Sequence, residues 1–431
     1  MKTTVFLFLT VIPLTVLGQN KLTLEDAIQK ALGSYESIGI ESAKSQSAQL
    51  TAENAFDNRL PTLKATARVS KLSEVDPFAL SIQLPPPASI AINKTISPSI
   101  TEAYALKLTA TQPLFTGFKL TGIQESAEQL SLASQSDLKA KRAELTVLVV
   151  TTYLNSLAAR EILSLLKSTE KALTERQKDS EALLKNGLIT ESDLLKVKVK
   201  LTETQANRIQ AEHNVKITAL NLSQLTGESV AEFTQLVSPE PEPALPSSGE
   251  RPELQAAGFR VLAAESMTNV SRSDWYPSLF LQANWDYANP NSRIFPQEAK
   301  FKSTWDVNLV MSVDLWTWGT RWRNSEMSEL QLQQAKLAKS QIEKVVSLEE
   351  QSVLASLDKA KAMTSVSQLQ VEQTSKNLSL TENQYRNGLI SATDLLDAQT
   401  QELSARVQQI QNRLDLITNQ WKLKKARGVL P

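Results

Sequence analysis

Lys185-Asn186-Gly187-Leu188-Ile189, followed by Asp193-Leu194-Leu195, recurs as Arg386-Asn387-Gly388-Leu389-Ile390, followed by Asp394-Leu395-Leu396. The displacement is about 201 residues, and it also superposes Leu114-Phe115 on Leu315-Trp316, Ile209-Gln210 on Ile410-Gln411 and Gly227 on Gly428. Upstream, Leu60-Pro61-Thr62-Leu63 answers to Tyr276-Pro277-Ser278-Leu279 with the shift enlarged to about 216. The extra residues of the first copy therefore fall in 71–102, a proline-rich stretch that reads as a loop. Solenoid units have periods of about 20 to 50 residues and come in threes or more. Two copies of this size point instead to pseudo-symmetry within one structure.

Outward from the repeated signature, helix breakers are missing. Proline is absent from 114–238, and Gly187 is the one glycine between Ile123 and Thr226; from Arg321 to Leu430 only Gly388 and Gly428 interrupt. Each copy is thus predicted to hold a helix of about 65 residues, a turn at Asn-Gly and a helix of about 37. At 1.5 Å per residue these are roughly 98 Å and 55 Å long. Further helices are expected at 24–58, with Gly33 and Gly39 as weak points, and at 252–274.

Between the helices the period changes to two. Leu63, Ala65, Ala67 and Val69 alternate with Thr62, Lys64, Thr66, Arg68 and Ser70; Tyr104, Leu106, Leu108 and Ala110 alternate with Lys107, Thr109 and Thr111. In the second copy Leu279, Leu281, Ala283, Trp285 and Tyr287 alternate with Ser278, Gln282, Asn284 and Asp286. Its companion alternates Trp305, Val307, Leu309, Met311, Val313 and Leu315 with Asp306, Asn308, Ser312 and Asp314. Four strands are expected per chain. A soluble antiparallel sandwich would alternate in the same way. Six of the seven tryptophans, however, crowd at Trp275, Trp285, Trp305, Trp316, Trp318 and Trp322, and aromatics gathered at strand ends mark the lipid interfaces of an outer-membrane barrel.

The N-terminus supports that location. A lysine at position 2, an apolar run from Val5 to Leu17 and small or polar residues from Gly18 read as a signal peptide over 1–18, too short to span a bilayer. No later stretch has the roughly 18 apolar residues of a spanning helix, so a membrane crossing must use strands. Four strands cannot close a barrel, and an open edge in lipid leaves backbone groups unpaired. Three chains would supply about 12 strands, enough for an aqueous lumen. Lys64, Arg68 and Lys107 from one copy and Asp286, Asp306 and Asp314 from the other would line it.

The 46 basic and 46 acidic side chains cancel, which removes a bulk electrostatic case for nucleic acid. Without cysteine there are no disulfides or thiolate metal sites. A lone His213, on a helical stretch, offers no metal constellation, and no phosphate-binding glycine loop, nucleophile elbow or HExxH helix is present. The expectation is a protein with no enzymatic activity, no cofactor and no metal.

Paired repeats of strand, strand, long helix, Gly-Leu turn and short helix resemble the TolC-type outer-membrane efflux proteins over essentially the whole mature chain. The resemblance rests on Leu60-Pro61 and Tyr276-Pro277 before the first strands and on Pro113-Leu114-Phe115-Thr116-Gly117 and Asp314-Leu315-Trp316 at the entry to the long helices. Asn186-Gly187-Leu188 and Asn387-Gly388-Leu389 complete it at the tips. The second copy departs at Asp314, where the family often has proline, and at Trp318, where it often has glycine. The resemblance implies a mixed α and β membrane protein: a homotrimer whose 12-stranded transmembrane β-barrel, four strands per chain, continues as a long periplasmic α-helical barrel. Its organisation would be a signal peptide at 1–18, repeat 1 at 19–228, a Pro/Glu-rich linker at 229–250 and repeat 2 at 251–431. It further implies a passive exit duct of a tripartite efflux or type I secretion-like system, set in outer-membrane lipid and extending into the periplasm. The Gly-Leu tips would dock on a periplasmic adaptor bound to an inner-membrane transporter.

Thr190 with Asp193 and Ser391 with Asp394 fit a capping box, an acid three residues after a hydroxyl. Capping does not account for Asp397, whose counterpart in the first copy is Lys196. Asp394 and Asp397 share a helix face. In the family, carboxylates at these positions face the channel, so three chains would build a cation-attracting constriction of about six acids. A solvated helix-start role remains open to both. Tyr385 and Asp193 match family positions that latch neighbouring helices in the closed state; plain packing is the alternative for Tyr385. The basic partner some members carry after the tip glycine is replaced here by Leu389-Ile390. The rival reading is a secreted or periplasmic coiled-coil structural or adaptor-like protein without a pore, but two hairpins alternating with strand pairs favour the duct.

Overall fold

The computed structural model describes residues 21–83, 85–87, 90–97, 99–229, 235–241 and 247–430. The expected signal peptide lies outside them, as do parts of the linker. In chain order the elements are β1 Lys21–Leu22, α1 Leu24–Ser34, α2 Glu36–Asp57, β2 Thr62–Lys71, β3 Phe78–Gln83, β4 Ala91–Ser97, β5 Glu102–Phe115, α3 Lys119–Lys185 and α4 Glu191–Thr226. The second half holds β6 Gln235–Leu236, α5 Pro252–Arg272 with a 3-10 turn at Ser273–Trp275, β7 Ser278–Asn289, β8 Lys302–Ser312, α6 Thr320–Arg386 and α7 Ala392–Ala426. Both long helices have 67 residues, and the helices after the tips have 36 and 35. The chain forms two compact units that cut across the repeats: a helical unit of 1–43, 136–254 and 342–431, and a strand unit of 44–135 and 255–341.

In the helical unit the largest core joins Ile28 of α1, Val149, Val150, Tyr153 and Leu154 of α3, Leu222 of α4 and Ile417 of α7. Tyr153 is fully buried. Its hydroxyl lies 2.7 Å from the Leu22 carbonyl and 2.8 Å from the Val237 carbonyl, and accepts the Val237 amide at 2.9 Å. It thereby ties down β1 and β6, which pair in parallel. Burial pushes the phenol up to about 12. In the second copy Leu354 takes the place of Tyr153, and Arg251 carries the corresponding polar load: it is buried, binds Glu253 and Glu349 and donates to the Ala426 carbonyl at 3.1 Å.

The strand unit is built on one antiparallel sheet in the order β2-β5-β7-β8. One strand bound differs from the alternating pattern. β8 stops at Ser312, so Val313, Asp314 and Leu315 lie beyond it; of the six residues expected to line the lumen, Asp314 is the one placed outside a strand. The apolar alternation runs on there because the chain leads into an aromatic bend, which period alone cannot tell from a strand. The stretch read as a loop also contains a hairpin, β3 with β4, separate from the main sheet. Its prolines Pro85 to Pro87 fall in the connection, where no ladder hydrogen bond is lost. Near the N-terminus the helix breaks at Tyr35, two residues after the weak point at Gly33, whereas Gly39 is tolerated inside α2.

The strand-to-helix bends are built alike. Gly117 and Phe118 have φ of 61° and 68°, and Trp318 and Gly319, their counterparts, 52° and 77°. Two consecutive left-handed residues turn the chain in each copy, with glycine first in one and second in the other. A Cβ on Gly117 would meet the Ser273 carbonyl oxygen at 2.7 Å. Trp318 meets no such obstacle and is 80% exposed, so the departure from glycine costs only backbone strain.

Candidate functional site

The sheet register sorts the strand residues onto two faces, because cross-strand partners project to the same side. Thr66 opposes Lys107, Lys107 opposes Asp286, and Asn284 opposes Asp306, with Lys64 and Arg68 at neighbouring alternate positions of β2. Five of the six expected lining residues, Lys64, Arg68, Lys107, Asp286 and Asp306, therefore share one face. At its centre Thr109 Oγ1 donates to Asn284 Oδ1 at 3.0 Å, and Asn284 Nδ2 donates to Asp306 Oδ1 at 2.9 Å. Arg293 pairs with Asp306 and donates to the Trp305 carbonyl at 3.3 Å. Arg293 escapes a reading of the sequence because it sits in a connection with no periodicity.

The opposite face is apolar and uncovered. Leu63, Val69, Trp305, Val307 and Leu309 are all more than half exposed, and Trp285 stacks on Tyr287 with ring centroids 6.0 Å apart. Trp275 meets Trp322 edge-on at 5.1 Å, with the Arg321 guanidinium 5.5 Å from the Trp275 ring centroid. Among the described residues both outer strands, β2 and β8, pair on one side only. No helix among the described residues is long and apolar enough to cross a membrane.

In the helical unit, the two tips are near copies. Gly187 and Gly388 adopt φ of 72° and 71°, which glycine enters without penalty. Gly187 N–H donates to the Leu184 carbonyl at 2.9 Å and Leu188 N–H to Leu183 at 3.0 Å; Gly388 to Tyr385 and Leu389 to Gln384 repeat both distances. These are Schellman closures. They leave Leu188 and Leu389 69% and 73% exposed. Asn186 N–H closes on Ala182, and Asn387 anchors its amide on the Asn383 carbonyl at 2.9 Å.

Both capping boxes form. Asp193 N–H donates to Thr190 Oγ1 at 3.2 Å, and the Asp193 carboxylate receives the Thr190 hydroxyl at 2.7 Å and its amide at 3.2 Å. The Thr190 hydroxyl and amide hold that carboxyl below the usual range. Asp394 repeats the pattern with the Ser391 hydroxyl at 2.8 Å and amide at 3.1 Å. Asp397 takes no part in the box. It lines a hollow of about 380 Å³ between α4 and α7 together with Leu195, Lys196, Glu203, Thr393 and Thr400. Lys196, which approaches Asp193 to 3.5 Å, also donates to Thr393 Oγ1 at 3.0 Å, bridging α4 to α7. The Tyr385 hydroxyl is buried and makes no hydrogen bond among the described residues, so Tyr385 and Asp193 are not joined within the chain. A link that does cross between α3 and α6 is Arg176 with Glu382. Repeat logic does not reveal it, since Arg176 superposes on Asn377.

Among the described residues no acidic or histidine cluster could hold a metal. A two-faced sheet with open edges, carried with long helices whose turns expose leucine, is the construction of an outer-membrane channel protein. The chain belongs to the outer membrane efflux protein family, whose model matches residues 27–228 and 247–429. It is 24% identical over 328 residues to the toluene efflux pump outer membrane protein TtgC of Pseudomonas putida, a match spanning 72% of this chain and 66% of that protein, slightly under two thirds of its length. Among solved structures, CusC superposes with a TM-score of 0.79 at 18% identity, covering 94% of this chain and 92% of CusC. The Campylobacter jejuni CmeC outer membrane channel gives 0.79 at 17% identity over 94% and 85%.

Proposed function

We propose that three copies of this chain form a passive exit duct through the outer membrane, the terminal part of a tripartite efflux or type I secretion-like system. The observation that carries the reading is the sheet: one polar face, one uncovered apolar face and two unpaired edges. Buried unpaired backbone groups are costly in lipid, and three copies close about 12 strands with the apolar face outward. Leu330, Leu337, Val345 and Leu348 of α6 are exposed on one face of the helix, which suits packing against another helix of the assembly. The helices would extend into the periplasm.

In this assembly Lys64, Arg68, Lys107, Asp286 and Asp306 face the lumen. Asn186, Gly187, Leu188, Asn387, Gly388 and Leu389 present the turns to a periplasmic adaptor that couples the duct to an inner-membrane transporter. Asp397, free of capping duty, is the stronger member of the constriction pair with Asp394. A latch at Tyr385 and Asp193 would have to cross to other groups, because the Asp193 carboxylate is already held by Thr190. Single-channel conductance in a planar bilayer tests the reading. A pore of trimer stoichiometry is expected, with cation preference reduced in Asp394→Asn/Asp397→Asn; folded protein that stays soluble without detergent and conducts nothing would defeat it.

A further inference from the structure

We infer that the β3 and β4 hairpin is a self-recognition element: the hairpins of three copies meet over the mouth of the barrel and seal it through an apolar contact. The inference rests on the trimeric duct proposed above. Leu80 opposes Lys94 and Ile82 opposes Ile92, so Leu80, Ile82 and Ile92 share one face; each is 45% to 49% exposed. The other face is polar, with Ser81 Oγ donating to Asn93 Oδ1 at 2.6 Å and Thr95 opposite Ala79. Among the described residues the hairpin hydrogen-bonds to no strand of the main sheet. A lone two-stranded ribbon is marginal in water, and an apolar face gives it order only when something covers that face.

Second copies are the occupant that the geometry favours. The hairpin follows β2 and precedes β5, and β2 is the edge that must be closed by another chain, so three hairpins ring one mouth. Twelve strands spaced about 4.8 Å and tilted about 40° make a barrel of radius about 12 Å. Six residues of β3 at about 3.3 Å each reach about 20 Å. Three inward-folded hairpins therefore reach the axis with length to spare. Lipid is the poorer partner. The sheet's apolar face carries Trp285, Tyr287 and Trp305, whereas the hairpin has no tryptophan or tyrosine and places Lys94 on its apolar side. A cation there is disfavoured in hydrocarbon, but at a protein contact its stem can lie on the apolar surface with the ammonium at the rim.

Because the chain has no cysteine, single cysteines report cleanly. Ile92→Cys, oxidised in proteoliposomes, is expected to yield covalently paired chains at least tenfold more efficiently than Asn93→Cys on the opposite face. Its conductance should fall on oxidation and recover with reductant. Leu80→Ser/Ile82→Ser/Ile92→Ser should raise the conductance of the resting pore roughly twofold. Equal labelling of both cysteines by a charged, impermeant maleimide with no covalent pair would overturn the seal, and labelling of Ile92→Cys by a lipid-soluble reagent alone would assign the face to lipid. Native mass spectrometry separates the levels: a trimer without pairing sinks only the seal, while a monomer sinks the duct as well.

Discussion

Arg176 donates to Glu382 at 2.8 Å and so joins α3 to α6 within three turns of both tips, with the arginine side chain only 16% exposed. Whatever opens the tips by moving one long helix against the other must break this pair. Removing one partner strands a partly buried charge, a larger effect than losing an exposed salt bridge of about 0 to 1 kcal/mol. Arg176→Ala and Glu382→Gln should each raise the open probability in bilayer recordings, and the exchanged pair Arg176→Glu/Glu382→Arg should restore most of the closed state. Unchanged open probability in both single variants would show that the pair only decorates the interface.

The capping boxes separate two aspartates that motif spacing groups together. Ser391→Ala and Asp394→Asn should each destabilise the start of α7 by about 1 kcal/mol, visible as faster amide exchange at Asp394 and Leu395. Asp397→Asn should leave exchange untouched and act on cation preference alone. If Asp394→Asn changed selectivity without changing exchange, the cap would be incidental.

Acid should loosen the first tip through Asp193. Its carboxyl is held below the ordinary 3.8 by Thr190, so the folded state binds the proton less readily than the unfolded one. The stabilisation is fully present above 3.8 and is lost as the pH falls through the lower folded value. Amide protection at the start of α4, taken relative to the intrinsic exchange rate at each pH, should fall in that window in the wild type and stay flat with pH in Asp193→Asn.

How much of this is legible in the sequence follows from the range over which each signal acts. Strand faces, long helices and tips are readable because their periods and breakers are local and occur twice, and the shared face of Lys107 and Asp286 needs only the alternation. The end of β8 is obscured because Val313 and Leu315 continue an apolar period into a bend. The β3 and β4 hairpin is hidden by prolines that read as loop although they mark only its connection. Arg176 with Glu382 and Tyr153 with Leu22 and Val237 are beyond reach: each joins positions far apart in sequence, and neither is repeated in the other copy.

The exposed tip leucines can be separated from the fold that presents them. Leu188→Ser and Leu389→Ser remove side chains that are mostly in solvent and should shift the melting temperature little, while weakening adaptor capture at least tenfold in pull-down with a cognate adaptor. The backbone control is Gly388→Ala, whose added Cβ meets nothing within 4 Å and which should cost about 1 kcal/mol through its positive φ alone. Loss of melting temperature in the leucine variants would reassign them to packing.

Tyr153 gives the sharpest stability test. Tyr153→Phe keeps the ring and deletes the hydroxyl; the Val237 amide keeps its bond to the buried Leu22 carbonyl at 3.3 Å, while the Tyr153 bonds to both carbonyls are lost, at about 1 to 3 kcal/mol. The folded phenol titrates at about 12 against 10.0 unperturbed, so the neutral form is favoured by folding. That stabilisation is fully present below pH 10 and is lost as the pH rises towards 12. Melting temperature measured from pH 9 to 12 should therefore fall more steeply in the wild type than in Tyr153→Phe, with the two curves converging at the alkaline end. Parallel curves would mean that the hydroxyl is not held in the core as the β1 and β6 clamp requires.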